Sequence, residues 1–147
     1  MIKDQPHYDV FVSYAREDID FARELVRALK AKNISVWYDQ GELRFGDNIL
    51  RSLEDGLERS DFFLLLLSPE YFNKQWTQFE TGVALGRMGK GRILPIFLHT
   101  PQEIKKKGFF AHIMGIEAEK YSLEEIASMV SEVIKKRNDE KQVSQSP

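Results

Sequence analysis

The sequence predicts an open parallel α/β sheet with helices on both faces. Three observations point to it. Short runs rich in Val, Ile, Leu and Phe alternate about five times with segments of helical apolar spacing. The central run, Phe62–Leu67, is apolar at every position, as a strand covered on both faces must be. Gly, Pro, Asp and Ser fall between the runs, where turns and helix starts belong.

The elements follow in order. Tyr8–Ser13 reads as a buried strand. Asp18 or Asp20 can cap a helix whose Phe21, Leu25 and Leu29 recur one turn apart as far as about Lys32. Ile34–Tyr38 is a second strand, and the polar, glycine-marked stretch Asp39–Gly46 is a loop. Asp47 caps a helix that turns Ile49, Leu53 and Leu57 inward. Phe62–Leu67 is the sheet centre, and Ser68-Pro69 is a helix-start pair, proline being tolerated where no amide donor is needed. A helix from about Gln75 to Met88 ends in the glycines at 86, 89 and 91. Ile93–Leu98 is a fourth strand, Pro101–Lys107 a short basic helix or loop, and Ile116–Lys120 a fifth strand. Ser122 and Glu125 have capping-box spacing and open a last helix with a stripe of Leu123, Ile126, Val130 and Ile134. Residues 1–6 are expected as an N-terminal extension, 7–137 as the domain and 138–147 as a polar, disordered tail.

Right-handed crossovers favour the flavodoxin-like strand order 2-1-3-4-5. In such sheets ligands bind beyond the carboxyl ends of the strands, where the winding reverses between strands one and three. Ser13–Asp18 and Ser68–Tyr71 are delivered to that crevice, with the Asp39–Gly46 loop close by.

Composition excludes several chemistries. The 147 residues carry 21 basic and 23 acidic side chains, a formal net charge of -2, so no field draws in nucleic acid or an anionic membrane. There is no cysteine, which removes thiol catalysis, disulfides and cysteine-held metals and suits a reducing cytoplasm. Met1–Pro6 has no apolar core of a secretory signal, and Phe62–Leu67 is far shorter than the roughly 20 residues of a membrane span. The expected setting is therefore cytoplasmic.

Motifs narrow the field further. A phosphoacceptor aspartate at the end of the third strand is missing, the chain reading Leu67-Ser68-Pro69 there. Ser13-Tyr14-Ala15-Arg16 replaces the glycine fingerprint of a dinucleotide site, and no P-loop lysine motif is present. His7, His99 and His112 are isolated from any partner at ligand spacing, so no metal site is expected. Lys105–Lys107 suits a solvated face. Trp76 and Glu80 are four apart and share one helix face just after the third strand. An aromatic plate beside a carboxylate suits a flat cationic heterocycle. The same spacing also suits a core tryptophan followed by a surface glutamate.

Taken in order, these pieces resemble a TIR (Toll/interleukin-1 receptor) domain over roughly residues 7 to 137. Tyr8–Tyr14 with Glu17-Asp18 is similar to the family's first box, and Ile34–Asp39 to the strand entering its BB loop. Leu43-Arg44-Phe45-Gly46-Asp47-Asn48-Ile49 fits that loop's L-x-x-G-x-x-I frame, and Trp76–Glu80 resembles the catalytic W-x-x-x-E. The R-D-x-x-P-G loop form of receptor adaptors is missing, as is a Phe-Trp third box near Phe109-Phe110.

The resemblance implies cleavage of NAD+ at the nicotinamide–ribose bond, giving nicotinamide plus ADP-ribose or a cyclic isomer. The alternative it leaves open is a non-catalytic TIR–TIR interaction module. A third is a nucleoside N-glycosidic transferase of similar architecture. NAD+ would be the substrate, with no cofactor and no metal. Glu80 is implied as the catalytic carboxylate, with Trp76 beside the nicotinamide or ribose. Arg16 is the candidate for the diphosphate, and Ser13, Tyr14 and Ala15 lie around the mouth. Asp39, Leu43, Arg44 and Phe45 are implied to line the substrate site, the last three gating the pocket or closing a neighbour's. Family behaviour implies activation by open-ended self-association, in bacterial antiviral defence or signalling. Regulation is expected from that assembly or from a separate sensor or effector protein.

Overall fold

The computed structural model describes residues 7–38, 42–43, 56, 58–72, 92–102 and 115–145. Within them the strands are β1 (Tyr8–Ala15), β2 (Val36–Trp37), β3 (Glu42–Leu43), β4 (Ser60–Leu67), β5 (Ile93–Phe97) and β6 (Ile116–Glu117). The helices are α1 (Ile19–Ala31), α2 (Pro69–Phe72) and α3 (Leu123–Gln145). All strand pairs are parallel, and the main path runs β2-β1-β4-β5-β6. With the extra β3 set aside, this is the expected order 2-1-3-4-5.

Each central strand supplies two cores because successive side chains point to opposite faces. Val10, Val12 and Tyr14 of β1 join Phe62, Leu64 and Leu66 of β4 on one face. There they pack against Leu25, Val26 and Leu29 of α1 and Ile126, Val130 and Ile134 of α3. The opposite face gathers Phe11, Ala15, Phe63, Leu65, Leu67 and Phe97, with Trp37 and, from α2, Tyr71. Burial on both sides explains why β4 has no polar alternation.

Local chemistry fixes the joints. Asn33 takes φ 65° after α1, and Ile34 N–H and Asn33 N–H donate to the carbonyls of Leu29 and Lys30. That is a Schellman closure with asparagine where glycine is commoner. Asp9 N–H donates to Ser35 Oγ (2.8 Å) and Ser35 N–H to Asp9 Oδ2 (2.9 Å), which pins the Val10–Val36 register. At α3, Glu125 N–H donates to Ser122 Oγ (3.1 Å) and Ser122 N–H to Glu125 Oε1 (3.0 Å), completing the expected capping box.

Several details differ from expectation, β2 being shorter (Val36–Trp37) than the expected Ile34–Tyr38 and β4 beginning earlier, at Ser60. β1 runs on to Ala15 because Tyr14 and Ala15 pair with Glu42 and Leu43, so part of the expected loop is strand β3. The fifth strand stops at Glu117, and Ala118–Lys120 coils into a 3₁₀ turn. Asp18 stands at the N-cap of α1 without a capping bond from its side chain. Residues 138–145, expected as tail, continue α3 to Gln145, since Lys, Glu and Gln sustain a helix without an apolar stripe. The helices expected over 47–57 and 75–88 lie outside the described residues, apart from Gly56, which is helical.

Candidate functional site

At the winding reversal between β1 and β4 the carboxyl ends of these strands lie side by side, flanked by the ends of β3 and β5. β1 delivers Arg16, exposed, at the head of the 3₁₀ turn Arg16–Asp18. The register Ala15 to Leu43 lays Leu43 beside the exit from β1. β4 ends at Leu67, and Ser68 leads at once into α2. β5 ends at Phe97, followed by His99 in a left-handed conformation at φ 52°.

Polar side chains tie these ends together. Ser68 Oγ donates to Asp18 Oδ2 across the crevice and accepts the N–H of Tyr71 at 3.1 Å. The Tyr71 hydroxyl meets Ser13 Oγ at 2.9 Å, with both residues fully buried. Leu67 O accepts the amide of Leu98 at 3.1 Å and the hydroxyl of Thr100. Glu119 accepts the backbone N–H of His99 and lies 3.0 Å from its Nδ1, which holds the strained residue in place.

The electrostatics follow from this packing. Burial raises the Asp18 carboxyl above its ordinary value. Its bond from Ser68 opposes that, Glu70 and Glu17 push further up, and His99 pulls down. Burial also raises the Tyr71 phenol despite its Ser13 partner, so it remains a neutral hydroxyl. Among the described residues no group of three His, Asp or Glu side chains is placed to hold a metal ion.

Of the residues singled out from the sequence, Ser13, Ala15, Arg16 and Leu43 converge on this end of the sheet. Tyr14 does not share the face of Ala15. Its ring is 2% exposed in the core under α1, 6.4 Å from the ring of Tyr38. Strand periodicity requires this, since Ser13 and Ala15 point the other way. Asp39, Arg44, Phe45, Trp76 and Glu80 lie outside the described residues. Sequence reasoning missed Asp18, Ser68 and Tyr71 as one network. Their signal was the Ser68-Pro69 pair, which needs an N-cap hydroxyl and leaves that hydroxyl's proton for a second partner.

The arrangement offers an exposed guanidinium beside strand ends tied together by hydrogen bonds. A guanidinium in that position suits a phosphate group of a ligand. The family model described as TIR domain matches residues 10–130. The NAD(+) hydrolase TcpC of Escherichia coli is 35% identical, covering 89% of this chain and 45% of that protein. The 2' cyclic ADP-D-ribose synthase AbTIR of Acinetobacter baumannii is 32% identical, covering 90% and 51% respectively. The chain thus spans about half the length of these curated relatives. A metazoan TIR-STING receptor from C. gigas superimposes with a TM-score of 0.63 at 18% identity, covering 88% of this chain and 41% of that one, a likeness of fold.

Proposed function

We propose that this chain, which belongs to the TIR domain family, cleaves NAD+ at the nicotinamide–ribose bond. The observation that carries the reading is the pairing of Ala15 with Leu43, at the sheet end from which the chain leads towards Trp76 and Glu80. The names of the similar curated proteins support it, an NAD(+) hydrolase and a cyclic ADP-D-ribose synthase.

The chemistry needs little from the protein. Nicotinamide in NAD+ is already cationic. When the C1′–N bond breaks, the electron pair goes to the ring nitrogen and the leaving group departs neutral, so no general acid is required. The ribose is left as an oxocarbenium-like cation, which a carboxylate stabilises. Glu80 takes that role, Trp76 packs beside the nicotinamide or ribose, and Arg16 meets the diphosphate. Water attacking C1′ and losing a proton gives ADP-ribose, while a nucleophile of the adenosine half gives a cyclic isomer. NAD+ is the substrate, and no further cofactor enters. Leu43, Arg44 and Phe45 gate the pocket or complete that of a second copy, so activity rises on assembly. An intracellular substrate suits a cytoplasmic role in defence signalling.

The test incubates concentrated wild-type protein with NAD+ and resolves the products by chromatography, alongside Phe45→Ala. Release of nicotinamide, diminished in the variant at low protein concentration, is expected. If assembled wild-type protein releases none, the chain is a TIR–TIR interaction module.

A further inference from the structure

We propose that Asp18 and Ser68 form a positioning pair that sets the attitude of α2 relative to the turn bearing Arg16. The inference rests on the NAD+-cleaving reading above and adds two residues to it. Ser68 is 2% exposed and sits between the last residue of β4 and the first of α2. A serine hydroxyl has one proton and two acceptor positions. Here the proton goes to Asp18 Oδ2, and a lone pair takes the N–H of Tyr71 at 3.1 Å. With its proton engaged by Asp18, the hydroxyl cannot turn away from Tyr71.

Two walls of the crevice are joined through this one atom. Asp18 closes the turn that begins with Arg16, and Tyr71 lies in the helix that opens the chain towards Trp76 and Glu80. The Tyr71 hydroxyl ties the same helix to Ser13 of β1 at 2.9 Å. The α2 start is therefore fixed at two points, both on β1 or the turn that follows it.

Asp18 is spent on this bond rather than on its own helix, since it stands at the N-cap of α1 without capping it. The carboxylate also sits close to Glu17 and Glu70, which repel it, with His99 opposing them. A solvated N-cap would avoid that cost. The pair is assigned no contact with substrate; its effect reaches the reaction through the start of α2 and the Arg16 turn.

The experiment compares wild type with Asp18→Ala, Asp18→Asn and Ser68→Ala in nicotinamide release and in amide hydrogen exchange over residues 69–72. Loss of the acceptor or the donor is expected to lower kcat about tenfold to a hundredfold, with KM changed less than threefold. Exchange at the Tyr71 amide should quicken in both. Asp18→Asn keeps an acceptor oxygen and should recover most of the loss, which a purely structural effect of lost charge would not. Wild-type kcat in Asp18→Ala and Ser68→Ala, or an Asn variant as impaired as the Ala variant, would overturn the proposal. If Asp18→Ala does not fold, Ser68→Ala and Asp18→Asn carry the comparison. If wild type itself releases no nicotinamide, the NAD+ reading fails separately. Exchange then decides the pairing: unchanged protection at Tyr71 overturns it, and quickened exchange supports it.

Discussion

The buried contact between Ser13 and Tyr71 can be tested by a double-mutant cycle. Both residues are 0% exposed, and their hydroxyls lie 2.9 Å apart. Tyr71→Phe deletes one hydroxyl and leaves its partner in a dry core. A neutral hydrogen bond is worth about 1 kcal/mol net, and a buried group stripped of its partner costs about 1–3 kcal/mol. Each single variant, Tyr71→Phe or Ser13→Ala, should therefore lose about 2 kcal/mol. The double variant removes both hydroxyls of the pair together. Its loss should also be about 2 kcal/mol rather than the additive figure of about 4, a coupling of about 2 kcal/mol. Urea unfolding measures this as a shift in midpoint at constant slope. In a chain of this length each single variant should melt about 4–8 °C lower. Strictly additive losses would show that the two hydroxyls do not act as a pair.

Other consequences are as direct. A Cβ at Gly56 would lie 2.7 Å from Cδ1 of the fully buried Phe11, which is itself wedged between Trp37 and Phe63. Gly56→Ala should cost about 1–3 kcal/mol from overpacking, against a gain of about 1 kcal/mol in helix propensity, and a rise in melting temperature would contradict the packing. Ser122→Ala should cost about 1 kcal/mol through the lost cap of α3, read by urea unfolding. The Glu125 carboxyl is held below its ordinary 4.5 by the Ser122 backbone amide first and the Ser122 side chain second. Its contribution is complete above pH 4.5 and is lost as pH falls through the lowered value. Glu125→Gln should therefore lose less stability than wild type on acidification below that point, and parallel pH profiles would refute this.

The sheet was legible because its strands are short apolar runs bounded by turn residues, and the order followed from crossover handedness. What escaped was short or distant. β3 has two residues, Glu42 and Leu43, in a polar stretch, so no periodicity could mark it. Ala118–Lys120 looked like strand because it follows Ile116, yet it coils as soon as pairing with β5 ends at Glu117. At the site, Ser13, Ala15, Arg16 and Leu43 lie at one end of the sheet, whereas the Tyr14 side chain falls on the face opposite that of Ala15 because successive strand residues alternate. The tie between Asp18 and Ser68 spans 50 residues of sequence. No local spacing encodes such a bond, and the cap preference of each residue is satisfied on paper without it.

In the proposed reaction a single carboxylate, Glu80, stabilises the cation left as nicotinamide departs. Nicotinamide release by Glu80→Gln, compared with wild type at equal concentration and equal melting temperature, tests it most directly. Removing the charge while keeping the shape should lower kcat by a factor on the order of 10² to 10³, with the wild type consuming NAD+ stoichiometrically with nicotinamide release. Equal turnover by the two proteins would contradict the assignment and move the chemistry to another residue.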